Sequence, residues 1–142
     1  MINQRGTAAW TGDIKGHGTI STQSGTVEAP YSVGSRFEGQ KGTNPEELIG
    51  AAHAGCYTMY LTSVLTKAGH QIEGITTTST VTMDPNNGAP NITRIQVRTE
   101  GRVAGLSPEE FQAFAEDAKA NCPISRALSA VPEMTLEAKL AS

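Results

Sequence analysis

This sequence has few large side chains. Its 142 residues include one Trp, three Tyr and three Phe, and seventeen of its apolar residues are alanine. A chain of that composition has little bulk with which to fill a core of its own, so an obligate oligomer sharing a core is expected. Charge of one sign is lacking too: 11 Lys and Arg stand against 14 Asp and Glu, a net charge of −3, with no basic stripe. That argues against a nucleic-acid partner. No apolar run approaches the ~20 residues of a membrane span, and no apolar segment follows Met1–Arg5 to make a signal peptide. A cytoplasmic location, away from membranes, is the expectation. Cysteine is scarcest, with two residues, Cys56 and Cys122. A permanent structural disulfide is not expected in a reducing compartment, so the pair is either free or redox-active.

The length fits one domain spanning residues 1–142, with no internal repeat, linker or low-complexity tract. Residues 7–10 and 17–22 read as short strands, and Gly25 turns the chain into a third over 26–33. Residues 34–43 carry three glycines and three charges without a period, and read as a loop. Asn44, Pro45 and Glu47 predict a capped helix start, with Thr43 and Glu46 offering the same box one residue earlier. This helix runs through Leu65 and ends before Gly69. Apolar or small residues lie almost all round it, so it is expected to be buried. Residues 71–83 and 91–103 predict two strands joined by a hairpin loop from Asp84 to Pro90. Ser107-Pro108-Glu109-Glu110 opens a second helix with a stripe of Phe111, Phe114, Ala115 and Ala118. Pro123 breaks it, 124–130 reads as a short helix, and 134–140 as a closing strand. The class is α+β, an antiparallel sheet packed on a long central helix.

Cys56 lies mid-helix. Only its thiolate is a useful nucleophile, and burial alone would raise its pKa and leave it inert, so it needs a cation. His53 is one turn earlier on the same face, and Arg36 lies in the glycine-rich stretch just before the helix. A guanidinium is permanently charged and donates from a planar fork, so it stabilises a thiolate without competing for the proton. Glu46 and Glu47 either complement the helix dipole, or one of them orients Arg36 as a bidentate partner. With Pro123 as the first residue of a short helix, Cys122 is its N-cap, at the positive end of the dipole, which favours a thiolate. The plain alternative for either cysteine is a small buried hydrophobe. His53 and Cys56 have helical spacing for two metal ligands, but no further Cys/His pair completes a site, and no metal is expected. Neither standard glycine-rich phosphate loop occurs.

Arg36-Phe37-Glu38-Gly39, the run from Gly42 to Cys56, and Asn121-Cys122-Pro123, together with Trp10-Thr11-Gly12-Asp13, resemble the OsmC/Ohr family, most closely its OsmC branch. The resemblance implies an intertwined α+β homodimer that reduces organic hydroperoxides and, less efficiently, hydrogen peroxide, without metal or organic cofactor. Cys56 matches the family's peroxidatic cysteine, Cys122 its resolving cysteine, Arg36 its arginine and Glu46 its glutamate. Dithiols carried on lipoylated proteins are the implied reductants, and the implied product is a Cys56 sulfenic acid resolved as a Cys56–Cys122 disulfide. Phe37, Tyr57, Met59 and Tyr60 are candidates to accept the organic tail, or core residues. Readings from other classes are a thiol redox sensor and a non-catalytic small-ligand binder on the same fold.

Helix geometry adds an expectation about assembly. Glu46 and Cys56 are ten residues apart, about 15 Å along one helix and roughly 80° apart in direction. Two copies of the helix crossing antiparallel near Ala51 would bring Glu46 of one chain to Cys56 of the other. The small residues from Gly50 to Gly55 would form the crossing, which predicts a homodimer with composite sites.

Overall fold

The structure, a computed structural model, describes residues 1–86 and 88–142; Asn87, assigned above to the hairpin loop, lies outside them. The chain forms two compact units, residues 1–48 and 49–142.

The first unit holds a three-stranded antiparallel sheet of β1 (Gly6–Thr11), β2 (His17–Thr22) and β3 (Glu28–Tyr31), in that order. β3 is shorter than the sequence predicts. Pro30 sits in it, which a strand at the edge of the sheet, next to β2, tolerates. The stretch expected to be a loop contains a one-turn helix, α1 (Val33–Phe37). Its signal is a reciprocal box in which the backbone N–H of Ser35 donates to Ser32 Oγ and that of Ser32 donates to Ser35 Oγ, at 3.1 and 2.8 Å. The surrounding glycines hide a helix this short from any periodicity. Arg36 is therefore a helical residue in the last turn of α1, not a loop residue. Beyond it, the Ser35 hydroxyl donates to the Thr43 carbonyl at 2.7 Å and the Thr43 N–H donates to the Pro30 carbonyl at 2.8 Å.

Asn44 then caps α2 (Pro45–Lys67): its Oδ1 accepts from the Glu47 N–H at 2.8 Å, so the start at Asn44 is the one used. The helix ends in a Schellman motif. The Gly69 N–H donates to the Thr66 carbonyl and the His70 N–H to the Leu65 carbonyl, with Gly69 at φ +85°. Within one chain α2 is not buried all round. Gly50, His53, Tyr57, Leu61 and Leu65 form its buried stripe, while Ala51, Ala52, Gly55 and Met59 face outward.

The second unit holds the core. β4 (Ile72–Asp84) and β5 (Asn91–Val103) pair antiparallel; α3 (Pro108–Asn121) and α4 (Pro123–Ala127) follow; β6 (Glu133–Leu140) returns parallel to β5. The α+β class holds, but the single antiparallel sheet becomes two sheets, one of them mixed. A parallel return is what a helical crossover between β5 and β6 permits, and strand periodicity carries no information about direction. On β5, Ile95, Val97, Thr99 and Val103 point inward, while Arg98, Glu100 and Arg102 point outward. Ile95, Val97 and Val103 cluster with Tyr57, Leu61 and Leu65 of α2 and with Phe111, Ala118 and Cys122. Burying each large aliphatic here contributes about 1.5–3 kcal/mol relative to exposure.

Candidate active site

The two cysteines meet at the break between α3 and α4. Proline at 123 disfavours the α conformation for the residue before it, and Cys122 accordingly takes φ −61°, ψ 138°, ending α3 and capping α4. Its sulfur accepts the Ser125 backbone N–H at 3.3 Å. One residue earlier in the same turn, the Ile124 N–H is directed at the Cys56 sulfur. Each sulfur thus faces one of two successive amides, and the two sulfurs interact directly. Both thiols are free, Cys56 half-buried and Cys122 fully buried. Burial pushes the Cys56 thiol above its ordinary value; the Ile124 N–H opposes this, and the neighbouring Cys122 sulfur adds to it. A group so placed needs further positive charge to become a nucleophile near neutral pH.

Behind Cys122 lies a polar network that the sequence reading did not find. Cys122 Sγ donates to Ser125 Oγ at 3.1 Å. That hydroxyl is 2.7 Å from His53 Nε2, and His53 Nδ1 is 2.8 Å from Ser79 Oγ on β4. His53 is fully buried, and burial pushes its pKa down, so the ring is neutral. The available signal was Cys122-Pro123-Ile124-Ser125, an N-cap with a hydroxyl residue three positions on. Sequence spacing makes His53 a candidate cation or metal ligand beside Cys56; among the described residues no cluster suited to a metal occurs.

The first unit holds the other two expected site residues. Arg36 and Glu46 form a bidentate pair: Nη2 donates to Oε1 at 2.5 Å, and Nε lies 3.1–3.2 Å from both carboxylate oxygens. Burial alone would raise the Glu46 carboxyl, but the hydrogen bonds and charge of Arg36, with a backbone N–H, outweigh it and hold Glu46 below the usual carboxylate range. The hydrogen bonds and charge of Glu46 raise Arg36 in turn. The guanidinium also lies 5.2 Å over the Phe37 ring. A cavity of about 320 Å³ opens beside it, lined by Trp10, Ile14, Tyr31, Val33, Arg36 and Phe37.

The four residues expected to receive an organic tail separate. Tyr57 is fully buried and its hydroxyl donates to the Ala115 carbonyl at 2.8 Å, so it is a core residue, closed to substrate. Phe37 lines the cavity beside Arg36. Met59 is 76% exposed on the outer face of α2. Tyr60 is half-buried; burial and then Asp117, to which its phenol is hydrogen-bonded, raise its pKa.

Comparison with known proteins decides the family. Residues 38–137 match the family described as OsmC-like protein. The chain is 46% identical over 143 residues to Peroxiredoxin OsmC of Escherichia coli K12, covering 99% of each. The chain belongs to the OsmC family. A more distant relative of this OsmC chain is Organic hydroperoxide resistance protein-like 1 of Staphylococcus saprophyticus, 28% identical, with 89% of this chain and 88% of that protein covered. Among solved structures, an OsmC-like protein from Mycoplasma pneumoniae superposes with a TM-score of 0.78 over 99% of each chain, at 16% identity. At that identity the likeness shows the OsmC fold.

Proposed function

We propose that this OsmC-family chain is a cysteine peroxidase that reduces organic hydroperoxides to alcohols through Cys56 and Cys122. The peroxidase class follows from family membership together with the 46% identity to Peroxiredoxin OsmC over the full chain. Near full-length coverage supports reading residues 1–142 as one OsmC-like domain. One observation carries the mechanism: two cysteines far apart in sequence lie side by side, each under one amide of the same helical turn.

Cys56, as thiolate, attacks the distal oxygen of ROOH. The O–O bond breaks, the alkoxide leaves and takes up a proton, and Cys56 becomes a sulfenic acid. In our reading Arg36, held in orientation by the Glu46 fork, is brought to Cys56 in a composite dimer site, where it supplies the positive charge that the burial of Cys56 calls for and stabilises the departing oxyanion. Cys122 then condenses with the sulfenic acid, releasing water and forming the Cys56–Cys122 disulfide. A dithiol, on a lipoylated protein in our reading, reopens it by exchange, with no metal or organic cofactor. Phe37 and its cavity accept the organic tail.

We place the protein in solution as a homodimer with composite sites. The exposed apolar stripe Ala51, Ala52, Gly55 and Met59 on α2 supports this, as does the ten-residue spacing of Glu46 and Cys56 along that helix. A cytoplasmic location and a stress-response role accord with this reading. Among the described residues, no helix is long and apolar enough to cross a membrane.

The test is a steady-state assay of an alkyl or fatty-acid hydroperoxide against hydrogen peroxide, driven by a dihydrolipoyl dithiol. Turnover with preference for the organic hydroperoxide is expected. A disulfide that forms once without turnover would indicate a redox sensor instead, and unreactive thiols a non-catalytic ligand binder.

A further inference from the structure

His53 has no part in the mechanism above, yet it is fully buried and both of its ring nitrogens meet hydroxyls. One direction gives every proton of the chain an acceptor. Cys122 Sγ donates to Ser125 Oγ, so the hydroxyl's own proton is left for His53 Nε2; the ring's proton then sits on Nδ1 and is donated to Ser79 Oγ. A thiol, a hydroxyl and an imidazole acceptor stand in line, the far side of the ring anchored on β4. The Ser125 backbone N–H holds the same sulfur at 3.3 Å. Helix α2 therefore carries the acceptor one turn before Cys56, and the cap of α4 carries the thiol whose proton it faces.

We propose that Ser125 and His53 form a proton relay for the resolving step, drawing the proton from Cys122 as its sulfur attacks the Cys56 sulfenic acid. The inference rests on the disulfide mechanism proposed above. The Cys122 S–H proton passes to Ser125 Oγ as the serine's proton passes to His53 Nε2. The Cys122 sulfur bonds to the Cys56 sulfur, the S–O bond breaks, and hydroxide leaves. The imidazolium proton and that hydroxide make up the one water released, so a thiol and a sulfenic acid become a disulfide and water. Ser125 touches the reacting sulfur; His53 acts through it and is a positioning residue. A neutral ring is what the relay requires, and burial keeps it neutral near neutral pH. The neighbouring Tyr57 ring, 6.5 Å away edge-on, does not compete for His53, since its hydroxyl donates to the Ala115 carbonyl.

The discriminating variant is His53→Gln, whose amide can still accept a hydrogen bond from Ser125 but cannot hold the proton. One equivalent of an alkyl hydroperoxide is mixed with the reduced full-length protein. Sulfenic acid is trapped with dimedone, and the disulfide is followed by quenched mass spectrometry. In His53→Gln the sulfenic acid is expected to accumulate while closure slows on the order of 10²-fold. Wild-type closure should be slower in D₂O, and that sensitivity should be lost in the variant and in Ser125→Ala; Ser125→Thr, which restores the hydroxyl, should recover fast closure. Closure in His53→Gln as fast as wild type and equally sensitive to D₂O would overturn the relay while leaving the disulfide mechanism standing. If the variants do not fold, wild-type closure indifferent to D₂O overturns it equally. Absence of any Cys56–Cys122 disulfide in the wild type overturns the underlying mechanism.

Discussion

At the scale of single residues, Cys56 shows how environment decides chemistry. Its own burial disfavours the thiolate, and the Ile124 amide only partly offsets that. The sequence offers an arginine and a glutamate as candidates to offset this, and those two form a bidentate pair with each other. It does not convey the partners that only tertiary folding supplies: Ser79 and Ser125, which reach His53 from β4 and α4. The same burial makes His53 a measurable determinant of stability. Its folded pKa lies below the ordinary value of about 6.5, so the unfolded chain takes up the proton first as pH falls. The stability from a neutral His53 is fully present above about pH 6.5 and is lost as pH falls toward the depressed folded value. Thermal unfolding between about pH 7.5 and pH 5 should show Tm falling in the wild type, and falling less in His53→Gln. Equal slopes in the two proteins would contradict the assignment.

At the scale of elements, α2 separates what local sequence determines from what packing determines. Its cap, its Pro at the first turn and its Gly-terminated end are local and were legible from the sequence. Which face is covered was not, because alanines and glycines ring the helix and give the apolar pattern no direction. The single turn α1 was missed for the same reason, and the parallel β5–β6 pairing because it depends on the crossover between the strands. Glycine offers a test. A Cβ on Gly50 would lie 2.6 Å from the Ser79 carbonyl oxygen, so this glycine serves the close approach of α2 to β4 within one chain. Gly55 is exposed, with nothing within 4 Å of such a Cβ. Gly50→Ala should therefore destabilise by about 1–3 kcal/mol through overpacking. Gly55→Ala should gain up to about 1 kcal/mol of helix propensity in the monomer, a gain that a close dimer contact would reduce or reverse. Chemical denaturation with and without subunit dissociation distinguishes these outcomes. A neutral Gly50→Ala would remove the packing explanation.

At the scale of the whole molecule, the scarcity of large side chains and the outward stripe of Ala51, Ala52, Gly55 and Met59 belong together: both support the proposed dimer. If Glu46 serves the site of the other subunit, co-refolding inactive Cys56→Ser with inactive Glu46→Ala chains should restore activity, because the heterodimer then holds one intact site. Heterodimers that form and remain silent would assign Glu46 to its own chain. The proposed dimer concerns how the site is completed; the proposed peroxidase mechanism turns on two sulfurs of one chain. The most direct measurement treats the reduced protein with one equivalent of an organic hydroperoxide and determines its mass and cross-link without reductant. The expected result is a chain lighter by two hydrogens, still monomeric on a denaturing gel, with Cys56 joined to Cys122; Cys122→Ser should instead stop at a Cys56 sulfenic acid, which a second equivalent of hydroperoxide carries to sulfinic acid. A disulfide between subunits, or a Cys56→Ser protein that still consumes hydroperoxide, would contradict it.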